Sequence, residues 1–468
     1  MQISRNDWAF GTLMHRREDV VGATIGLWAH KSSKSGARIF SIFIVAILFA
    51  HSAICLAGST YYVDYVSGLD SNNGLVKSRP WKRVPGMDNQ TTGKALLPGD
   101  TICLKGGVTW VDRLVANTGV TYRGDCAAWG QGRANIFVPA VARSFAAFYC
   151  AGCDNVTIQG INFSNALVSA SYQGAAYVEG SATNSVTNFA VNNCSFINSG
   201  QGLMLRKYTV GGTVNNVEAY NNTYPATLAN ANASGILISG PGTSNISVDG
   251  AVLHDNGKTT QASGINEGRG ITISGGVTAV TLINVNAYGN SAANGEEGSA
   301  IEIADASYID ISRSRFVGAT AAEIKNSANN LTITKNLFSG TSAGVFQYGY
   351  YAGRDSVGSK INNNTIISTR NLNNAAVKLS SPGTTNEFRG NIIILPSGHT
   401  GAALEFNTVG TYWSPTTWDN RIDNNQIFGG VYYSITVEVG SVFRTRTLAQ
   451  HQVAFPLQAG TDITTTGK

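Results

Sequence analysis

The stretch NVTIQGINFSN (155–165) decides the fold: Val156 alternates with Ile158, a glycine follows, and Ile161 then alternates with Phe163. Runs this short, ended by Asn or Gly, suit β-strands and are too brief for helices. The pattern returns as FAVNNCSFINS (189–199), VNNVEAYNN (214–222), NISVDGAVLHDN (245–256) and, with a short insertion, VTAVTLINVNAYGN (277–290). It continues as YIDISRSRFVG (308–318), LTITKNLFSG (331–340), KINNNTIIS (360–368), NEFRGNIIIL (386–395) and RIDNNQIFG (421–429). The equivalent apolar positions are Phe163, Phe196, Ala219, Leu253, Ala287, Phe316, Phe338, Ile366, Ile393 and Ile427, spaced 22 to 34 residues apart. Unequal spacing around a constant motif describes coils of fixed core length carrying excursions of variable length. An antiparallel sandwich would not bring the same residue types back at each turn. The chain is therefore predicted to be all-β: a right-handed, single-stranded parallel β-helix of about ten or more rungs.

Composition agrees. Of 468 residues, 43% are apolar, only 13% are charged and 53 are glycine, as short strands joined by repeated turns require. Asn at the turns is expected to adopt left-handed backbone angles, and stacked Asn amides are expected to pair from rung to rung.

Residues 1–57 read as an export signal or an N-terminal membrane anchor. Arg16, Arg17, Lys31, Lys34 and Arg38 precede a charge-free run from Ile39 to Ala57, with cleavage expected after Ala57. Membrane association is expected only through that segment if it is retained. Without it the formal charge falls from +5 to +2, and no dense Lys/Arg block remains of the kind a nucleic-acid binder needs. Export permits disulfides; Cys103–Cys126 is the preferred pair, and Cys150 with Cys153 reads as buried packing or a disulfide rather than a metal site.

The opening after the leader differs from the coils. YYVDYVSGLDSNNGLVKSRPW (61–81) and LLPGDTICLKGGVTW (96–110) indicate a strand, tight turns and a cap over the open end of the solenoid. These stretches, together with the rungs over residues 60–430, resemble secreted pectate-lyase-like β-helix proteins. The resemblance implies a polysaccharide partner, without separating lyases, hydrolases, epimerases and non-catalytic binding rods. The expected organisation is a leader at 1–57, a cap and first rungs at 58–150, the β-helix at 151–430, and a C-terminal cap or tail at 431–468.

A second strand lies between the copies above, and its middle residue is expected to face solvent. These middle residues are Met204, Leu237, Thr272, Glu302, Glu323, Gln347, Lys378 and Glu405. The next outward positions are Arg206, Ser239, Ser274, Ala304, Lys325, Gly349, Ser380 and Asn407. Charge gathers at Glu302, Glu323, Lys325 and Lys378, with Glu302 and Glu323 expected about 5 Å apart on adjacent strands. Solvated charge pairing on a sheet is the bland alternative.

The functional expectation is cleavage of an anionic, uronate-containing polysaccharide by β-elimination. Two adjacent carboxylates would gain from a cation, so calcium (Ca2+) is expected at Glu302 and Glu323, with Asn294 and Glu297 as further candidate ligands beside Glu296. Lys325 is the expected base, its pKa lowered by desolvation, with Arg354 or Lys378 assisting. This set is similar to that of calcium-dependent alginate and dermatan-type β-helix lyases. Gln347, Tyr350, Tyr351, Arg206, Arg269 and Glu405 are expected to contact substrate, and Trp413 is a further stacking candidate. His254, in a Leu-His-Asp-Asn-Gly turn, is a lesser candidate base. Hydrolysis by the Glu302–Glu323 pair and a non-catalytic binding rod are the competing classes.

Overall fold

A computed structural model describes residues 58–429 except 92, 140–145, 166–172, 225–231, 258–267, 292–297, 342–343, 351–355, 371–374, 381–384 and 409–420, together with residues 432–437, 442–447 and 463–465. Residues 1–57, with the expected leader, lie outside that set. Among the described residues no helix is long and apolar enough to cross a membrane.

The chain is a right-handed parallel β-helix. One coil shows the plan: a first strand Ala233–Ser239, a second Ser244–Asp249 and a third Val252–His254. First and second strands of successive coils hydrogen-bond into one 26-stranded sheet, and third strands form a separate 13-stranded sheet. In the middle of the rod the first two strands fuse into Gly268–Ile283 and Gly298–Ser312. The register slips between Ser274 and Val277, where Gly275 and Gly276 take positive φ and absorb the short insertion seen in the sequence.

The inward column of the third-strand sheet follows the expected sequence. Phe163, Phe196, Ala219, Leu253, Ala287, Phe316, Phe338, Ile366, Ile393 and Ile427 are consecutive register partners, all buried. The column extends backward through Ile136 to Trp110. Like side chains stack: Phe163 on Phe196 at 5.7 Å and Phe316 on Phe338 at 5.4 Å.

Asparagine closes the turns. Asn155, Asn188, Asn216, Asn245 and Asn284 have φ between 50° and 55°, a region their short side chains tolerate. Other Asn side chains form two buried amide ladders. Asn222 donates to Asn256 at 2.9 Å and Asn256 to Asn290 at 2.8 Å. Asn336, Asn364, Asn391 and Asn425 repeat this at 3.1 Å per step. Each such amide also donates to a backbone carbonyl or accepts from a backbone N–H, satisfying turn groups that no strand pairs.

At the N-terminal end strand Thr60–Val63 pairs with Thr101–Leu104, and Tyr61 stacks on the buried Trp81 at 4.4 Å. Gly74 sits at φ 70° beneath the Trp81 ring, where a Cβ would come within 2.7 Å of it. Disulfides join Cys103 to Cys126 and Cys150 to Cys153, and Cys194 is free and buried, its thiol pushed up to about 12 by burial. At the other end Tyr432–Val437 extends the first-strand stack and pairs antiparallel with Val442–Thr447, while Ile463–Thr465 adds a strand beside Gln426–Phe428.

Candidate functional site

The outward row of the first strands runs Val115, Tyr149, Tyr177, Met204, Leu237, Thr272, Glu302, Glu323, Gln347, Lys378, Glu405 and Ser434, each the register partner of the next. All eight positions aligned from sequence fall in this row in the expected order. The second row holds Glu179, Arg206, Ser239, Ser274, Ala304 and Lys325. Its next member is Tyr350 rather than Gly349. A bulge after Ile324, with Gly349 at φ 73°, moves the backbone on by one residue.

The expectation that the middle row faces open solvent is corrected by its burial. Met204 is fully covered, Thr272 is 4% exposed and Glu302 is 5% exposed. Parallel sheets are generally covered on both faces. Glu302 therefore sits in a covered part of the first-strand face and not on open sheet.

There the charges form a network. Glu302 Oε2 lies 2.5 Å from Arg269 Nη2 and 3.1 Å from Lys325 Nζ, and the same ammonium is 3.0 Å from Glu323 Oε1. Ser299 Oγ donates to Glu323 Oε2 at 3.3 Å, and Ser234 and Thr272 pair their hydroxyls at 2.9 Å on the adjoining coils. Arg269 reaches Glu302 because it is the register partner of Ser299, three residues before Ile301–Glu302 on the next coil. Two cations thus face two carboxylates in a nearly dry site.

Burial raises the Glu302 pKa above its ordinary value, and the Glu323 charge adds to this; Arg269 and Lys325 oppose it. For Lys325 burial favours the neutral amine, but Glu302 and Glu323 together outweigh it and hold the ammonium above its ordinary pKa. The expected lowering at Lys325 is therefore reversed in the free protein, because desolvation arrives with two carboxylates attached.

The described donors do not fit a resident calcium ion. Glu302 and Glu323 are adjacent, yet both already form ion pairs with Lys325, and Glu302 also with Arg269, so a dication would meet two cations at contact distance. Among the described residues no group of three or more His, Cys, Asp or Glu could hold a metal. Asn294, Glu296 and Glu297 lie outside the described residues.

The remaining candidates separate. Gln347, Lys378 and Glu405 continue the row beyond Glu323, half-buried, with Gln347 Nε2 donating to the Gly344 carbonyl at 3.2 Å. Arg206 lies on the same face four coils before Lys325. The Tyr350 backbone is opposite Lys325, while Arg354, Tyr351 and Trp413 lie outside the described residues. Tyr348, inward by its alternation, is buried and donates to Asn386 at 2.8 Å.

His254 does not join the network. It is on the other sheet, its ring stacked between Tyr220 at 5.0 Å and Tyr288 at 5.1 Å, with Nδ1 2.7 Å from Asp255 and Nε2 3.4 Å from Glu218. Its neighbours come from the third-strand register, which places it in a surface ladder away from Lys325.

Sequence reasoning missed the contact of Arg269 with Glu302, and it missed Tyr149 and Tyr177. The tyrosines were detectable: AAFYCA (146–151) and GAAYVE (174–179) repeat the first-strand alternation two coils and one coil before Met204.

No protein-family model matches the sequence, and no curated protein sequence does. Among solved structures, the A-module of mannuronan C-5 epimerase AlgE6 from Azotobacter vinelandii is similar at 13% identity and a TM-score of 0.47, over 70% of this chain and 90% of that one. PfbA, a surface adhesin of Streptococcus pneumoniae, is similar at 11% identity and 0.49, over 74% and 86%. Pectate lyase Pel9A is similar at 18% identity and 0.40, over 79% and 80%. The likeness to each is one of fold.

Proposed function

We propose that the protein acts outside the cytoplasm on a uronate-containing polysaccharide laid along the first-strand face, cleaving it by β-elimination at Lys325. The observation that carries this reading is the Lys325–Glu302 contact at 3.1 Å, largely buried on the first-strand face with Arg269 beside it.

In the free protein the contact is an ion pair. A polymer that covers this face removes the remaining water, and a low dielectric favours the neutral pair over separated charges. The proton then passes from Lys325 to Glu302, whose pKa burial already raises, and Lys325 becomes a free amine. Arg269 offers its guanidinium to the substrate carboxylate, which makes the neighbouring C5–H more acidic. Lys325 takes the C5 proton, the electron pair forms the C4–C5 double bond, and the C4–O bond breaks. Glu302 gives its proton to the departing oxygen. The products are an unsaturated uronate and a new chain end, and the ion pair is restored. No external acid, base or oxidant is needed.

The competent form holds one proton in the Lys325–Glu302 pair, so kcat/KM should be bell-shaped in pH with limbs that belong to the pair. At low pH both groups carry a proton; at high pH neither does. The acid limb should have its midpoint above 4.5, the ordinary glutamate value, because burial raises Glu302. The alkaline limb should lie above the ordinary lysine value of 10.5, because two carboxylates hold the ammonium. An acid limb at or below the ordinary glutamate value would remove Glu302 from the proton path.

The proposed chemistry is metal-independent. Turnover of polygalacturonate or alginate, followed by the ultraviolet absorbance of the conjugated product, should survive exhaustive chelation unchanged. Loss of turnover that added calcium restores would return the ion to Glu302 and Glu323.

A further inference from the structure

The first-strand row changes character along the rod. Toward its N-terminal end the outward positions are Tyr149, Tyr177, Met204 and Leu237, of which Met204 and Leu237 are buried and the two tyrosines keep part of their surface exposed. The two tyrosine rings neighbour each other at 5.8 Å, tilted by 39°, and both are half-buried. Each has its own guanidinium: Arg113 lies 5.8 Å from the Tyr149 ring centre and Arg206 lies 5.5 Å from that of Tyr177. Arg206 Nη1 also donates to the Tyr177 hydroxyl at 2.9 Å. That hydroxyl donates in turn to Glu179, which pairs with Lys207 at 2.8 Å. Arg113 is tied to Asp88 at 2.8 Å. The rings are thus fixed in position by charged partners, and the cations Arg113, Arg206 and Lys207 outnumber the anions Asp88 and Glu179.

We propose that Tyr149, Tyr177, Arg113 and Arg206 form a docking subsite for an anionic polysaccharide, remote from the reaction centre, through which the protein selects long chains over short ones. Flat rings offer contact to the C–H faces of sugar rings, and the positive charge of the guanidiniums beside them favours uronate carboxylates. Five register steps separate Tyr149 from Glu302, about 24 Å at the strand spacing. A bound chain must therefore be several sugar rings long to occupy both positions. A trisaccharide bound at Glu302 cannot reach the tyrosines; an octasaccharide can occupy both. The inference rests on the proposed lyase reading only for where the bond is cut.

The test is binding and KM across a size series of uronate oligosaccharides prepared from polygalacturonate and from alginate, with the full-length protein and with Tyr149→Ala/Tyr177→Ala. The wild-type protein should bind octasaccharide about tenfold to a hundredfold more tightly than trisaccharide, and the double variant should lose most of that ratio. Arg206→Gln, which keeps both rings, should lose part of it and serves if the double variant does not fold. A wild-type protein indifferent to length, or a ratio that survives both variants, overturns the subsite. Length-dependent binding that the tyrosines control without any cleavage sustains the subsite and overturns the lyase reading. Cleavage without length preference does the reverse.

Discussion

Lys325→Ala is expected to lower cleavage of a uronate polymer by about a thousandfold or more while the β-sheet circular dichroism persists, since the proton acceptor is gone. The structure makes alanine an imperfect probe. Removing the ammonium leaves Glu302 and Glu323 on adjacent strands without the cation both contact, and such a buried imbalance is itself destabilising. Lys325→Arg is the sharper variant. Arginine keeps the positive charge between the carboxylates and should fold and bind like the parent, but its guanidinium does not give up a proton in proteins. Cleavage should fall about as far as with alanine. If Lys325→Arg turns over normally, the residue is a structural counter-ion and the proposed proton path fails.

The second large effect concerns the fold. Asn364→Ala is expected to destabilise the rod by about 3 kcal/mol, because buried groups are left without partners. Asn364 Oδ1 accepts from the Asn336 backbone N–H and from its side-chain amide, and Asn364 Nδ2 donates to the Ile333 carbonyl and to Asn391. Alanine strips all four contacts at once. For a folded unit of this size that corresponds to a fall of about 4 °C in Tm, read by thermal melting. Asn256→Ala, in the other ladder, should behave alike, since Asn256 accepts from Asn222 and donates to Asn290 and to the Ala219 carbonyl. A melting temperature unchanged in both variants would mean that the ladders follow from the coil instead of stabilising it.

The coil was legible because alternation within a strand and recurrence between strands are both sequence properties. Phe163 through Ile427 could be aligned by eye, and each residue meets the expected neighbour. The Glu302–Glu323 contact followed from the same reading. What escaped was whatever depends on the third dimension beyond the register. Gly349 was placed beside Lys325 because nothing in FQYGY announces a bulge; the strand yields there to a glycine with positive φ, and Tyr350 takes the place. Arg269 lies before the aligned Ile271-Thr272-Ile273, so its reach to Glu302 needed the register of Gly268–Ser274 on Gly298–Ala304. The sign of the Lys325 shift could not be read from burial alone, because it depends on how many carboxylates touch the ammonium. His254 was weighed as a base on local composition, whereas the third-strand register stacks it between two tyrosines on another sheet. At the C-terminal end Ile463–Thr465 adds a strand without the Asn-rich motif, so repetition gave no cue to it.

A uronate polymer carrying deuterium at C5 gives the most direct test of the proposed chemistry. Elimination through Lys325 removes that atom, so each new non-reducing end should be unsaturated and should have lost its deuterium to water. Saturated new non-reducing ends that keep the C5 deuterium would contradict elimination and favour hydrolysis by the paired glutamates, and a polymer that binds without any new ends would make this face a site of attachment alone.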